Sequence, residues 1–147
     1  MSVRERWKGH AKLPADVISK VEGLQGFWQD NNDILLVYLF GSLAERKNAN
    51  DIDLAILFDG KPSYDRIALI KEDLYKLLNT QRIDLIDLNR AGPVLRFDVI
   101  SKGKSLYLEN NEILNSFELR TIKEHMDTIY MRKVQRWYLK EKVSMSG

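Results

Sequence analysis

The side chains whose type and spacing could do chemistry are carboxylates: Asp51, Asp53, Asp84 and Asp87. Asp51-Ile52-Asp53 opens an apolar run that continues Leu54-Ala55-Ile56-Leu57-Phe58. On a strand alternate side chains share a face, so Asp51 and Asp53 point the same way. Two like charges so close repel each other and lose hydration, and a cation would compensate them. Magnesium suits the task, because it takes carboxylate oxygens and substrate phosphates together. The plainer alternative is a pair of surface acids at a strand end. In Arg82-Ile83-Asp84-Leu85-Ile86-Asp87-Leu88 the two acids lie three apart, so on a strand they face opposite ways. Asp84, near the strand start, is the one expected to join Asp51 and Asp53. Asp87 reads as a strand-end or capping acid, and Arg82 shares the face of Asp84 and could orient it. Three converging carboxylates can hold two divalent ions, and two ions can clamp the attacking and leaving oxygens of an in-line phosphoryl displacement.

Gly41-Ser42 directly follows the apolar run Ile34–Phe40. Glycine there allows turn dihedrals and close backbone approach to a ligand. A serine beginning the next turn offers a hydroxyl and free N–H groups, a seat for phosphate.

These residues need strands and turns to position them. Ile34–Phe40 reads as a buried strand, Asp51–Phe58 as a second and Arg82–Leu88 as a third. Ser105–Leu108 reads as a short fourth. One helix is predicted from Pro14-Ala15-Asp16 to near Asn31-Asn32. Another runs over Tyr64–Leu78 with Ser63 as its cap. A short helix starts at Pro93 within Ala91–Ile100. A long helix extends from Glu112 to about Lys142. Its Leu119, Ile122, Met126, Ile129, Tyr130, Val134, Trp137 and Tyr138 recur at steps of three and four, a spacing that usually packs a core. Because thirty helical residues outrun a small sheet, the end bearing Trp137 and Tyr138 is expected to meet a partner. Interleaved strands and helices predict a helix-flanked mixed sheet of about four strands, α/β or α+β.

Composition narrows the options. The 147 residues suit one domain. The absence of cysteine excludes disulfide scaffolds, thiolate zinc sites and cysteine nucleophiles, and the two histidines cannot build a histidine-rich metal site. The apolar run Ile34–Phe40 is far too short to span a bilayer, and no secretory leader is visible in the first residues. A cytoplasmic protein is therefore expected. The net charge of +2 conceals basic ends around an acidic centre: +3 over residues 1–12, +4 over 120–142, hence −5 between them. No aromatic and basic interleaving marks a nucleic-acid platform, so the basic ends read as solvated faces. His10, in the basic arm, has no assigned role, and Trp7 and Trp28 read as packing residues.

From Leu39-Phe40-Gly41-Ser42 through Asp51-Ile52-Asp53-Leu54-Ala55-Ile56 to Arg82–Leu88, the chain resembles the nucleotidyltransferase superfamily of DNA polymerase beta. It resembles most closely the minimal nucleotidyltransferases, small prokaryotic antitoxins paired with HEPN-domain toxins. Arg90-Ala91-Gly92-Pro93-Val94-Leu95 and Gly103-Lys104-Ser105-Leu106-Tyr107 extend the likeness, which covers roughly residues 15–110. The resemblance implies a nucleotidyltransferase core over 15–110, preceded by a basic arm at 1–14. The C-terminal helix, 111–147, would belong to the same domain. It implies that Asp51, Asp53 and Asp84 are catalytic metal ligands for two magnesium ions, and that Gly41 and Ser42 contact the β- and γ-phosphates of ATP. It implies transfer of AMP to a hydroxyl, that of a tyrosine on a HEPN toxin, whose RNase activity is thereby silenced. Asp53 or Asp84 would help that hydroxyl lose its proton. The phosphate turn departs from the family pattern, with a shortened segment before Asp51 and Glu45 where a basic residue is usual. Arg46 or Lys47 could substitute for that residue. Two alternatives keep the fold and change the role: an antitoxin that acts by binding only, and transfer of nucleotide to a small molecule such as an aminoglycoside. Arg120 and His125 match the Arg-x4-His spacing of HEPN ribonucleases, but residues five apart share a helix face poorly, and His125 reads as an ordinary helix residue.

Overall fold

The computed structural model describes residues 16–41, 43–44 and 51–146. The basic arm, Ser42 and Glu45, Arg46 and Lys47 of the phosphate turn lie outside the described residues.

The first predicted helix is two helices, α1 (Val17–Glu22) and α2 (Gln25–Asp30). The break lies at Gly23, whose N–H donates back to the carbonyls of Ser19 and Lys20 and closes α1. Val17, Val21, Leu24 and Trp28 are all buried on both sides of this break. Their helical spacing survives the interruption, which is why the segment reads as one continuous helix in the sequence.

Strand β1 (Ile34–Phe40) carries the apolar run as expected. It pairs antiparallel with β2 (Ile52–Phe58), with Phe40 opposite Asp53. The chain then turns through Gly60 into α3 (Tyr64–Leu78). The Ser63 hydroxyl accepts from the Arg66 N–H at the start of α3, and Asn79 ends it in the left-handed region at φ 53°. Next comes β3 (Ile83–Asp87), parallel to β2. A parallel neighbour requires a crossover, and α3 is that crossover. Then follow α4 (Pro93–Lys102), β4 (Lys104–Leu108) antiparallel to β1, and α5 (Asn111–Ser146). The sheet order is β3-β2-β1-β4, a mixed four-stranded sheet with helices, as the sequence predicts.

Helices cover both faces. Val21, Trp28, Ile70 and Leu74 of α1 to α3 pack with Val37, Leu39, Leu54 and Ile56 on one side. Val99 of α4 and Phe117 of α5 pack with Leu36, Tyr38, Ala55 and Leu57 on the other. Every residue of β2 is therefore buried, which explains the unbroken apolar run that follows Asp53. One expectation is corrected here. Leu119, Ile122, Met126, Tyr130, Val134, Trp137 and Tyr138 are exposed and form no core. The helix docks instead through Phe117 and Thr121, which are buried.

Candidate active site

The site grows out of the β2–β3 pairing. Parallel register places Ile52 beside Ile83 and Asp53 beside Asp84. The Ile52 N–H donates to the Arg82 carbonyl at 2.8 Å and fixes that register at its first residue. Alternation then separates the two faces. Ile52, Leu54 and Ile83 turn toward α1 to α3. Asp53 and Asp84 are one residue out of phase with them and share the other face with Ala55 and Leu57. Asp51 lies one position before β2 and in phase with Asp53.

One ligand oxygen from each of Asp51, Asp53 and Asp84 can be chosen such that all lie within 4.8 Å of one another. Asp51 and Asp53 are buried at 7% and 5% exposure, whereas Asp84 is half-buried. Asp87 stays outside the cluster: its carboxylate accepts from the Asn89 N–H at 3.0 Å and pairs with Arg90 at 2.6 Å. It is the strand-end acid that the spacing predicts.

Gly41 stands directly after β1, next to the end of the register in which Phe40 faces Asp53. Its φ of +77° lies in the left-handed region that favours glycine. This bend lies at the same sheet end as the acids.

Tyr38 is a positioning residue that sequence reasoning missed. Its hydroxyl donates to Glu118 of α5 at 2.8 Å. Burial, and then the Glu118 carboxylate, raise the phenol pKa well above its ordinary value, so the group stays a neutral donor. The contact fixes α5 over the face that carries the acids. Alternation held the signal, since Tyr38 is in phase with Leu36 and Phe40.

The donor set fits a hard divalent cation. It consists of carboxylate oxygens within mutual reach of one ion, two of them on buried residues. The buried pair makes a cation the natural compensation for the concentrated charge.

The family model of polymerase beta nucleotidyltransferases matches residues 22–112. The chain belongs to this family. Solved structures of similar fold include a chain from a complex of tri-AMPylated Shewanella oneidensis HEPN toxin with MNT antitoxin. It is 24% identical, covers 87% of this chain and 98% of its own, and has a TM-score of 0.62. A chain from a toxin–antitoxin structure with AMP-PNP is 27% identical over 90% of this nucleotidyltransferase and 99% of its own length, with a TM-score of 0.61. A chain from the toxin–antitoxin MntA–HepT is 23% identical, covers 86% and 98%, and has a TM-score of 0.60. No curated protein sequence matches significantly. Among the described residues of this nucleotidyltransferase, no helix is long and apolar enough to cross a membrane.

Proposed function

We propose that this nucleotidyltransferase is a cytoplasmic antitoxin that transfers AMP from ATP to a tyrosine hydroxyl of a partner HEPN toxin and thereby neutralises it. The observation that carries the reading is the convergence of Asp51, Asp53 and Asp84 beside the left-handed bend at Gly41. A neighbour 27% identical, described as a toxin–antitoxin with AMP-PNP, supports the choice of an adenine nucleotide. The HEPN toxin described as tri-AMPylated supports the acceptor class.

The three carboxylates would hold two magnesium ions, which, when bound, neutralise the triphosphate and stabilise charge developing on its oxygens. Gly41 lets the chain turn closely against the β- and γ-phosphates, with Ser42 as their hydroxyl contact. Buried Asp51 and Asp53 cannot reach an incoming protein easily. Half-buried Asp84 faces solvent enough to accept the proton of the acceptor hydroxyl. That oxygen bonds to the α-phosphorus, the bond from this phosphorus to the bridging oxygen breaks, and pyrophosphate leaves. The reaction would run on residues 15–110, with α5 as part of the same domain.

The test is transfer of label from α-labelled ATP to a partner HEPN toxin, read with intact-protein mass. The wild type should add whole AMP units, and Asp51→Asn and Asp53→Asn should each abolish transfer while circular dichroism stays unchanged. Full activity in the double variant would refute the reading. Tight binding of a partner whose mass does not change with ATP and magnesium would favour neutralisation by binding alone.

A further inference from the structure

Helix α5 has two apolar sides. At about 100° per residue, Phe117, Thr121 and His125 fall on one side. Phe117 and Thr121 are buried, and His125 stacks on Phe97 of α4 with ring centroids 3.8 Å apart. Leu119, Ile122, Met126, Tyr130, Val134 and Trp137 fall on the opposite side, within a sector about 120° wide. All six are exposed, Trp137 at 64% and Tyr130 at 67%. At a rise of about 1.5 Å per residue the stripe is roughly 27 Å long. Scattered exposed apolar residues need no explanation, but an aligned row of large ones marks an interaction face.

Charge selects the occupant. Over the length of the stripe the charged residues inside the sector are Lys123 and Lys133; beyond Trp137, Lys140 lies at its edge and Glu141 inside it. A second copy laid antiparallel about residue 128 would set Lys123 against Lys133 twice. A parallel copy would set each lysine against its own counterpart. Both arrangements place like charges face to face in a contact that excludes water, which disfavours self-pairing. A surface with an apolar groove and acidic side chains along its rim satisfies both the stripe and its lysines.

We propose that this stripe docks a partner protein through an acidic-rimmed apolar groove, and that this partner is the acceptor of the nucleotide. The second half rests on the adenylylation reading above. The catalytic face and the docking stripe are then separate, so the chain can hold its acceptor while the reaction proceeds elsewhere.

The test measures affinity of the full chain for a purified HEPN toxin, alongside AMP transfer and sedimentation. Trp137→Ala should weaken binding at least about tenfold, as loss of an aromatic anchor does. Met126→Glu combined with Trp137→Ala should weaken it about 100-fold, and Lys123→Glu with Lys133→Glu should also weaken it. These positions are exposed, so melting temperature and ATP binding should not change. Wild-type binding that all the variants retain overturns the proposal and leaves the adenylylation reading intact. Stripe-dependent binding without AMP transfer upholds the docking half and overturns that reading. No binding by the wild type overturns both. A wild-type dimer that Met126→Glu dissolves makes a second copy the occupant and overturns the proposal.

Discussion

Replacing Asp53 with asparagine should stabilise the metal-free protein while destroying its activity. Asp53 is 5% exposed, and its ligand oxygen lies within 4.8 Å of those of Asp51 and Asp84. Two unit charges 4.8 Å apart repel by about 3.5 kcal/mol at an effective dielectric of about 20. Asparagine keeps the shape and removes both repulsions involving Asp53. Water on the half-exposed Asp84 side screens part of this energy. The carboxylate's existing interactions, only partly kept by an amide, offset more of it. The net gain is then about 2 kcal/mol, a rise of about 6 °C in Tm for a chain of this size. The assay is calorimetry in chelator and again in excess magnesium. Magnesium should raise the Tm of the wild type, because it binds the assembled cluster and not the unfolded chain. In Asp53→Asn that rise should largely vanish, so the stabilities of the two proteins converge or cross as magnesium is added. A variant less stable than wild type in chelator, with an undiminished magnesium shift, would refute the idea that these carboxylates form a repulsive site held for a cation.

Gly41→Val forces a β-branched residue into φ +77°. It should cost about 1–2 kcal/mol in calorimetry and sharply weaken ATP binding in a nucleotide titration. Tyr38→Phe removes the hydrogen bond to Glu118 and should cost about 1 kcal/mol in denaturant unfolding. Ultraviolet titration of the wild type should leave one phenol neutral well past the ordinary tyrosine value of about 10, and that phenol should be missing from the variant. Arg66 grips Asp33 at 2.7 and 2.8 Å, and its hydrogen bond and charge hold the Asp33 carboxyl below its ordinary value near 3.8. A depressed carboxylate contributes stability that is present above that ordinary value and lost as pH falls through the lower folded value. Arg66→Gln should therefore flatten the acid limb of the stability profile below about pH 4, by under about 1 kcal/mol because the pair is partly exposed.

The parts of this molecule governed by short-range rules were legible in the sequence. Alternation placed Asp51 and Asp53 on one face, and the odd spacing from Asp84 to Asp87 excluded one of that pair. Ser63 capped the start of α3 and the apolar spacing ran out at Leu78, so its limits could be read to the residue. Helix–helix phase was not legible. Val17, Val21, Leu24 and Trp28 keep one helical spacing across the break at Gly23, so periodicity alone could not separate α1 from α2. The same ambiguity affects α5. A row of apolar residues at steps of three and four says that some surface will cover it, but not whether that surface lies in the same chain. Phe117 and Thr121, with fewer apolar neighbours in the sequence, form the side that packs on the sheet. The richer stripe through Met126, Tyr130 and Trp137 stays open to solvent. Residues 130–144 of α5 are exposed on every side, and the large aromatic side chains left open there, with lysines that disfavour a second copy, are accounted for by a partner. A nucleotidyltransferase whose acceptor is a protein needs such a grip, because the small sheet that aligns Asp51, Asp53 and Asp84 offers little surface of its own for holding one.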